Sequence, residues 1–471
     1  MTTSAVATVQ AVLPYIDSWL EYRAWKLRTP GVQAAIYFDG KLQFSKAYGF
    51  ADVEKGTALT TDHLFRIASH SKTFTATAIL QLFEAGKLRL DDAAGDFVPK
   101  LVEAGSPVAL VTVRDLLEHS AGVIRDGLDG DYWQHTRPFP DEDELIQMII
   151  DGGDKALPGE GFNYTNIGYS LLGLIVAAVS GVSYNEYVTT NIVERLGLAN
   201  TGPELDPARA DEYARGYTGF HTSLVRKAVD HIDTHAMAAA TGFYGTAEDL
   251  VHYFAAHFPG DERLLSDASK RMQQREQWLS DPSEPGAPYY GLGMIIERIG
   301  SHRVVGHSGG YPGHITRSLF DPGMGLSISV MTNAVDGPAA ELSNGILRLI
   351  DAALVEAPTL TLGESAPARP DIPVERFTGR FANMWGVQDV VQLGERLVSL
   401  IPGTPSPTDG LDELEIVDEN TLVIAKGNGF GSVGEKMFYE FDEDGKVTLM
   451  RGSGGMSMWP LEQLGEAHPL P

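Results

Sequence analysis

The sequence predicts a mixed α and β domain with an antiparallel sheet, followed by a small all-β domain. Three patterns predict it: a hairpin signal near the N-terminus, two apolar helical segments that each follow a polar tip, and short strands joined by turns in the second half. The fold class is therefore α/β (α+β).

Length and composition indicate a globular protein with more than one domain. The chain has 471 residues, of which 43% are hydrophobic, enough to bury a large core. Its 36 basic and 63 acidic residues give a formal net charge of −27, which repels nucleic acid and anionic membrane surfaces. We therefore expect neither as a partner, and the oligomeric state stays open. With no cysteine, disulfides, thiol nucleophiles and thiolate metal sites are excluded.

The N-terminal region predicts a helix and no targeting segment. Residues 11–27 have apolar side chains at roughly helical spacing, so we expect an amphipathic helix packed on the body of the protein. Residues 1–13 contain no Lys or Arg and Pro14 interrupts their apolar pattern, so we expect no secretory signal. No stretch reaches the roughly 20 apolar residues that span a bilayer. The expected location is the cytoplasm.

The sheet is expected to begin directly after this helix. Residues 32–38 and 41–48 are rich in strand-forming side chains, and Asp39-Gly40 joins them. This pair favours a two-residue hairpin turn, because glycine tolerates the positive φ that such turns require.

Residues 65–80 carry the pattern with the clearest chemical meaning. Ser69-x-x-Lys72 stands directly before an apolar stripe at helical spacing, so Ser69 is expected at the start of a buried helix. Three residues are close to one helical turn, which brings the Lys72 amine within reach of the Ser69 hydroxyl. A serine becomes a nucleophile when a base removes its proton, and a buried lysine has the lowered pKa that this needs.

Tyr164-x-Asn166 repeats this arrangement, because it precedes the apolar helical segment 169–179. A phenol relays a proton if neighbouring lysine ammonium groups lower its pKa, and a carboxamide both donates to and accepts from a substrate amide. Only in combination with Ser69 and Lys72 does this common pattern indicate a site.

The second half predicts an antiparallel meander. Residues 289–298, 303–305, 315–320 and 326–332 are expected strands, and His307 lies where one of them opens. Gly309 and Gly310 follow and allow a backbone to approach a substrate closely.

Two further patterns are rejected. Gly306-x-Ser308-x-Gly310 matches the nucleophile elbow of α/β-hydrolases, but that elbow leads into a helix. Here strand-forming residues follow, so Ser308 is not expected to be the nucleophile. Residues 230–235 hold two histidines and two aspartates; such a loop in an acidic protein is expected to be solvated rather than metal-binding.

The C-terminal region predicts a second domain. Residues 358–373 are rich in proline and small residues, as interdomain linkers are, so the expected division is 1–357, linker 358–373 and 374–471. Beyond the linker, short alternating runs predict a small antiparallel barrel or sandwich. Trp385 and Trp459 are expected in its core, with a lid position as the alternative.

Three short motifs occur in order along the chain: Ser69-x-x-Lys72, Tyr164-x-Asn166 and His307-x-Gly309. Together they resemble the serine β-lactamase-like superfamily, in particular the branch of class C β-lactamases, D-alanyl-D-alanine carboxypeptidases, D-aminopeptidases and related esterases. The resemblance covers about residues 29–353. It implies an antiparallel sheet flanked by helices, a mostly helical subdomain, and a site between them. The C-terminal part resembles the lipocalin-like barrel appended to several of these enzymes.

The resemblance also implies roles for the matching residues. Ser69 would be the acylated nucleophile and Lys72 its proton acceptor or electrostatic activator. Tyr164 would be the general base and then the acid for the leaving group, and Asn166 would orient the substrate amide. The backbone N–H groups of Ser69 and Gly310 would form an oxyanion hole.

Histidine at position 307 departs from the lysine that many members have there. The departure is similar to the peptidase and esterase branches and makes β-lactamase activity less expected. A histidine is neutral near pH 7 unless perturbed, so it is a weaker anchor for a substrate carboxylate. His70, inside the first motif, receives no role.

The expected function is a serine hydrolase that forms an acyl-enzyme at Ser69 and acts on a small ester or on a short peptide or other amide. The esterase, amidase and D-aminopeptidase types stay open, and no metal or organic cofactor is expected. The enzymatic alternative is a penicillin-binding-type thioesterase, acyltransferase or peptide cyclase. The alternative from another class is a non-catalytic binding or scaffold protein on the same fold.

Overall fold

The computed structural model describes residues 3–220, 223–355, 372–427, 432–452 and 454–464. The chain forms two compact units. One unit comprises Arg28–Ser343, and the other combines Met1–Leu27 with Asn344–Pro471. The predicted division at 358–373 stays a prediction, because residues 356–371 lie outside the described residues.

The described α-helices range from three to 24 residues. They are α1 (Thr3–Lys26), α2 (Ser71–Glu84), α3 (Pro99–Glu103), α4 (Val113–Leu117), α5 (Glu142–Gly152), α6 (Asn166–Ser180), α7 (Tyr184–Val188), α8 (Glu194–Leu196), α9 (Ala247–Ala255), α10 (Asp267–Gln273) and α11 (Ala339–Leu354). Short helical turns of other pitch supplement them, and two of these, Ala68–His70 and Ala238–Gly242, take part in the site described below.

The strands of the larger unit are β1 (Gly31–Phe38), β2 (Lys41–Asp52), β3 (Thr57–Ala58), β4 (Phe65–Arg66), β5 (Gly216–Tyr217), β6 (Ala228–Val229), β7 (Tyr244–Gly245), β8 (Trp278–Leu279), β9 (Tyr289–Tyr290), β10 (Ile295–Ile299), β11 (His302–Tyr311), β12 (His314–Asp321) and β13 (Leu326–Thr332). The strands of the other unit are β14 (Gly379–Asn383), β15 (Gly386–Leu393), β16 (Arg396–Leu400), β17 (Asp412–Asp418), β18 (Thr421–Lys426), β19 (Lys436–Phe441), β20 (Val447–Arg451) and β21 (Ser457–Pro460).

Arg28–Ser343 contains a nine-stranded sheet with the order β3-β2-β1-β13-β12-β11-β10-β9-β8. Every neighbouring pair is antiparallel. The predicted hairpin is β1 and β2, and its turn residues Asp39 and Gly40 have φ values of 49° and 82°, as a primed turn requires. Strand β13 is buried along its whole length, which means that both faces of the sheet centre are covered. The predicted fold class is confirmed.

The meander differs from its prediction in two of its strands. The strand expected over residues 303–305 is longer, because β11 continues to Tyr311 and includes His307. The strand predicted over residues 289–298 is two strands, β9 and β10, because Gly291, Leu292 and Gly293 lie between them and Gly293 has a φ of 77°. Strand β11 pairs with β10 only as far as Gly306. Its remaining residues keep β12 as a partner, so the other edge of β11 is not paired with β10 there.

Helices α2 and α6 form the buried centre of the helical layer. They pack against each other, and both pack against the Ala238–Gly242 turn. Ten of the 15 residues of α6 are buried, and α2 is buried from Ser71 through Leu80. A helix that is apolar nearly all round belongs in a core. The polar residues at the start of each helix are therefore held on a rigid base.

The C-terminal strands close into an eight-stranded antiparallel barrel, β14 to β21. The predicted run 390–400 includes the end of β15 and all of β16, which are joined at Gly394 and Glu395. Phe377, Phe381 and Tyr439 belong to the barrel core. The expectation that Trp385 is a core residue is wrong, since it is 82% exposed at the β14–β15 turn. Trp459 is partly buried.

Helix α1 runs through Pro14 and belongs to the same compact unit as the barrel. The Tyr15 hydroxyl donates to Asp389 Oδ2 at 2.8 Å, and the Trp19 indole N–H donates to the Pro402 carbonyl at 3.2 Å. Asp389 is buried and also accepts two bonds from Arg380, at 2.9 and 2.8 Å. The helix is thus anchored to the barrel through a fully paired carboxylate.

The length and apolar character of the described helices decide whether one could cross a membrane. None of them alone has the length and apolar character to cross a bilayer, while one pair bent by 79°, Asn166–Ser180 with Tyr184–Leu196, meets the criterion on length and composition.

Candidate active site

Ser69 lies in the short turn Ala68–His70, between β4 and the first residue of α2. The turn is anchored on both sides. Strand β4 pairs with β7, and the Ser71 hydroxyl donates to the Ala68 carbonyl at 2.6 Å. Ala68 has a φ of +46°, which side-chain-bearing residues rarely adopt. Ser69 remains partly exposed, so a reagent can reach its hydroxyl.

His70, which the sequence left without a role, fixes this turn to the sheet. A carbonyl only accepts, so His70 Nδ1–H donates to the Ile67 carbonyl at 3.0 Å, and in the neutral ring Nε2 then accepts from the Ser318 hydroxyl at 3.0 Å. Burial lowers the pKa of His70 to about 3. The neutral ring therefore links the backbone just before Ser69 to β12.

Lys72 is the centre of the site. Its side chain is fully buried in the first turn of α2. The Nζ atom lies 3.1 Å from Ser69 Oγ, 2.7 Å from Asn166 Oδ1 and 2.9 Å from the Ala240 carbonyl oxygen. None of these three partners is a carboxylate. Burial lowers the pKa of the amine well below its ordinary value of 10.5; Asp126 opposes this effect and Arg125 adds to it.

These three contacts suit both protonation states of Lys72. As an ammonium, Nζ has three N–H donors, and Ser69 Oγ, Asn166 Oδ1 and the Ala240 carbonyl accept them. As a neutral amine, it keeps two N–H donors for Asn166 Oδ1 and the Ala240 carbonyl, which only accept, and its lone pair faces the Ser69 hydroxyl. A proton can therefore pass from Ser69 to Lys72 without movement of a heavy atom.

Tyr164 lies beside this cluster, two residues before α6. Lys72 Nζ is 4.9 Å from the centre of its ring, and the Arg125 guanidinium is 5.4 Å from it. Burial raises the pKa of the phenol, while an interaction with the Ser69 side chain and the charge of Arg125 lower it by less. The expected lowering of this pKa by lysine is not found, because burial outweighs the charge of Arg125 and the interaction with Ser69. At neutral pH the phenol is protonated.

His119, which no motif in the sequence indicates, fixes the segment that carries Tyr164. Its Nδ1 accepts the Thr165 backbone N–H at 3.2 Å, and its carbonyl accepts the Asn163 N–H at 2.6 Å. Its buried ring lies 4.2 Å from the Tyr164 ring, centre to centre. Burial lowers the pKa of His119 well below 6.5. His119 follows helix α4 closely, and its φ of 57° lies in the left-handed region.

Asn166 is the first residue of α6 and connects Lys72 to a carboxylate that the sequence analysis also missed. Its Nδ2 donates to Asp126 Oδ1 at 2.7 Å, while its Oδ1 accepts from Lys72 Nζ. Asp126 lies in an irregular loop and follows Arg125 directly. No motif spacing relates it to Ser69, so the sequence alone gave no signal for it.

His307 is buried on β11, close to the other predicted residues. Its Nδ1–H donates to the Ser308 carbonyl at 2.7 Å, and Nε2 lies 3.0 Å from the Tyr290 hydroxyl. Its ring centre is 6.5 Å from that of Tyr164. Burial lowers the pKa of His307 well below 6.5, and the charge of Lys72 adds to this effect. The neutral ring offers no positive charge to a substrate carboxylate.

Gly309 and Gly310 bring the edge of β11 against the Ser69 turn. A Cβ atom on Gly309 would lie 2.1 Å from the Ile67 carbonyl oxygen, so no side chain fits at this position. Gly310 is exposed, and a Cβ there would meet only Ile315, at an ordinary 3.6 Å. The sequence predicted glycine here for a close approach to a substrate, whereas Gly309 is required by the close approach of β11 to the Ser69 turn.

Two rejected patterns lie outside this cluster. Ser308 is exposed within β11, which turns directly into β12 and not into a helix. Within the described ranges no group of three or more His, Cys, Asp or Glu side chains is arranged to hold a metal ion. In the 230–235 segment, His231 Nε2 donates instead to the Ala214 carbonyl at 3.1 Å.

Known proteins are similar to this chain over much of its length. A family model described as Beta-lactamase matches residues 16–353. Penicillin-binding protein 4* of Bacillus subtilis (strain 168) is 30% identical over 295 residues, which are 59% of this chain and 63% of that protein. The match spans less than two thirds of the length of the curated relatives that head the comparison.

Two solved structures share the fold. D-amino acid amidase from Ochrobactrum anthropi SV3, complexed with L-phenylalanine amide, aligns with a TM-score of 0.58 and 25% identity over 71% of this chain and 95% of that one. The octameric penicillin-binding protein homologue from Pyrococcus abyssi aligns with a TM-score of 0.63 and 24% identity over 93% of this chain and 98% of that one, and shows the fold alone. The family model covers well over half of the sequence, and this chain belongs to the beta-lactamase family.

Proposed function

We propose that this protein is a serine hydrolase that forms an acyl-enzyme at Ser69 and cleaves a small amide, such as an amino acid amide or a short peptide. The observation that carries the proposal is the set of contacts around Lys72. A buried amine that touches the Ser69 hydroxyl at 3.1 Å, with neutral acceptors on its other two bonds, is arranged to take the proton of Ser69.

Acylation would begin with neutral Lys72. As the Ser69 oxygen attacks the substrate carbonyl carbon, Lys72 takes the Ser69 proton and becomes an ammonium. The backbone N–H groups of Ser69 and Gly310 would hold the oxyanion, where losing one donor costs about 3 kcal/mol of transition-state stabilisation. Of the two N–H bonds of Asn166 Nδ2, one is given to Asp126, so the other is left for the substrate carbonyl.

The leaving nitrogen needs a proton before its bond to carbon breaks. Tyr164 is suited to supply it, because burial keeps its phenol protonated. Lys72 ammonium would then return the proton to Tyr164. The products of this step are a Ser69 ester and a free amine. Water hydrolyses the ester by the same path in reverse: Tyr164 passes its proton to Lys72 and takes one from the attacking water, and the Lys72 ammonium returns its proton to the Ser69 oxygen as the ester bond breaks.

Amide substrates are supported by the likeness to D-amino acid amidase, which shares 25% identity with this chain over 71% of its length. The neutral His307 also bears on the choice, since it provides no cationic anchor for a free carboxylate. Amino acid amides and simple esters carry no carboxylate next to the bond to be cleaved, whereas penicillins do. We therefore rank amino acid amides above penicillins as substrates.

Intact-protein mass spectrometry tests the proposal. Wild type, Ser69→Ala and Ser308→Ala would be exposed briefly to a penicillin, a p-nitrophenyl ester, and D- and L-amino acid p-nitroanilides, with chromophore release followed in parallel. We expect an acyl adduct or turnover in wild type and Ser308→Ala, and neither in Ser69→Ala.

The outcomes separate the alternatives. The anilide that turns over gives the stereochemical preference, and a product joined to an added amine in place of water would favour acyl transfer. An adduct that persists in Ser69→Ala would overturn the assignment of the nucleophile. If no reagent acylated wild type, a binding or scaffold role would replace the hydrolase.

A further inference from the structure

Asp126 is a largely buried carboxylate that the mechanism above does not use. Its side chain is 21% exposed. Oδ1 accepts two bonds, from Asn166 Nδ2 at 2.7 Å and from the Trp133 indole N–H at 3.0 Å, and Oδ2 accepts one from Arg125 Nε at 3.2 Å. The two oxygens therefore face different partners, with Oδ1 turned towards the Ser69 site.

Asp126 is the end of a hydrogen-bonded chain that leads to the nucleophile. Asp126 Oδ1 binds Asn166 Nδ2, Asn166 Oδ1 binds Lys72 Nζ, and Lys72 Nζ binds Ser69 Oγ, at 2.7, 2.7 and 3.1 Å. An amide has one donor end and one acceptor end. An ionised carboxylate only accepts and an ammonium only donates, so the two ends of Asn166 cannot be exchanged while both partners are present.

If the Asp126 carboxylate were removed, the Nδ2 end of Asn166 would lose the acceptor that fixes the orientation of its amide. The Asn166 amide would be free to rotate and present Nδ2 to Lys72, which would place two donors against each other. Lys72 would then keep only the Ala240 carbonyl as an acceptor besides Ser69. A loose amine is a poor base, because proton transfer needs a fixed donor and acceptor.

We propose that Asp126 is a positioning residue of this site: its carboxylate sets the orientation of the Asn166 amide and thereby keeps the Lys72 amine directed at Ser69. The inference rests on the proposed function, in which Lys72 is the base. Asp126 does not touch the reacting atoms, and its effect passes through Asn166.

The charge of Asp126 has a second consequence. It favours the ammonium form of Lys72 and so opposes burial, while Arg125 works in the other direction. Other titratable groups also face Lys72 from the elements around it, and they are Tyr164, Tyr169, His119 and His307. None of these four groups is a carboxylate, so the negative charge that acts on Lys72 comes from Asp126. Removing its charge therefore lowers the pKa of Lys72.

Two substitutions separate orientation from charge. In Asp126→Asn, the amide oxygen can take the place of Oδ1 and keep its bonds to Asn166 and Trp133, while the charge is lost. In Asp126→Ala, the hydrogen bonds to Asn166 and Trp133 and the negative charge are all lost. Asp129→Asn is the matched control, since it removes one negative charge from the same loop at an exposed side chain that pairs with Arg137.

The experiment measures the rate of Ser69 acylation against pH for the four proteins, with the reagent that acylates wild type, and Tm alongside. Asp126→Ala is expected to slow acylation by about 10²-fold, the scale of a misplaced catalytic group. Asp126→Asn is expected to lose less of the acylation rate. The acidic limb of its pH–rate profile should move to lower pH. Asp129→Asn should match wild type in both.

The results distinguish three failures. If both Asp126 variants acylate at the wild-type rate with the wild-type pH profile, the positioning role is overturned. If Asp126→Asn and Asp126→Ala lose equal activity and Tm without a shift of the acidic limb, Asp126 is only structural. If wild type itself is not acylated at Ser69, the proposed function fails and this inference fails with it.

Discussion

Among the residues that the structure describes, two lysines of the same compact unit are buried, and their surroundings differ in one respect. Lys72 Nζ binds a hydroxyl, an amide oxygen and a carbonyl. Lys270 Nζ, on a side chain that is 3% exposed, binds the Phe258 and Asp261 carbonyls at 2.7 and 2.6 Å and the Asp267 carboxylate at 2.7 Å.

The difference teaches that burial alone does not separate a structural cation from a chemical one. A buried charge is tolerated when an opposite charge contacts it directly, as Asp267 contacts Lys270. A buried lysine whose contacts are all neutral is pushed towards the free amine, and a free amine beside a serine hydroxyl is a base. The nature of the third acceptor therefore distinguishes the two lysines better than their burial does.

The largest effect is expected when each lysine is replaced by methionine. Lys72→Met removes the base, so the rate of Ser69 acylation should fall by at least about 10³-fold. Its Tm should stay within a few degrees of wild type, because the substitution also removes a desolvated cation. Stopped-flow acylation and calorimetry measure the two quantities.

Lys270→Met is the matched control and should give the opposite result. Two carbonyls and a carboxylate lose their donor, so Tm should fall by about 3–6 °C while folded protein acylates at the wild-type rate. Wild-type acylation by Lys72→Met would show that the comparison assigns the wrong lysine.

A smaller and more selective effect is expected for Tyr164→Phe. If Lys72 is the base and Tyr164 only protonates the leaving group, cleavage of an amino acid anilide should fall by about 10²-fold or more. Acylation by a p-nitrophenyl ester should change far less, since p-nitrophenolate leaves without a proton. Equal losses on both substrates would make Tyr164 the base, and wild-type rates on both would remove it from the mechanism.

The argument that a buried group without an opposite charge beside it is pushed to its neutral form also applies to two buried histidines. It predicts that the fold loses stability in acid. His70 and His257 have no direct carboxylate contact, and burial lowers their pKa values to about 3 and about 4, from 6.5. Since these folded-state values are lowered, their contribution is full above pH 6.5 and is lost as the pH falls towards them. Each imidazole should destabilise the fold by about 2 kcal/mol between pH 6.5 and about pH 5.

Urea unfolding at the two pH values measures this loss, and His257→Gln provides the comparison. The variant should be less stable at neutral pH but show a smaller drop in acid. Equal free energies of unfolding at both pH values would contradict the burial argument.

The smallest effect is expected from metal removal. A lysine base needs no metal ion, so treatment with EDTA followed by gel filtration should leave acylation within about twofold of the untreated protein. A loss that added zinc restored would mean that a metal, and not Lys72, activates the nucleophile.

The sequence predicted the parts of the site that sit on regular elements. Ser69 and Lys72 are about one helical turn apart, and Tyr164 and Asn166 stand at the start of an apolar helix, so the combination of the two patterns predicted that they lie together. Asp126 lies in an irregular loop, and Ala240 contributes only its carbonyl, which any residue has. Such partners follow from tertiary packing and leave no pattern in the chain.

The fold, like the site, was predictable where the signal lies in neighbouring residues. Local patterns gave the β1–β2 hairpin and the short strands of the barrel. They did not give the pairing of β1 with β13, nor the grouping of α1 with the barrel, because both join residues about 300 or more positions apart. The break between β9 and β10 was missed because Leu292 between two glycines looks like a continuing strand.

The close passage of β11 beside the Ser69 turn also constrains how substrate preference can be altered by directed evolution. At Gly309, a library of amino acid substitutions would consist almost entirely of misfolded or displaced variants, since the Ile67 carbonyl occupies the space of any Cβ. Diversity placed at 308 and 310, whose positions are exposed, would survive selection for folding. A useful library along this strand therefore varies positions 308 and 310 and keeps Gly309 fixed between them.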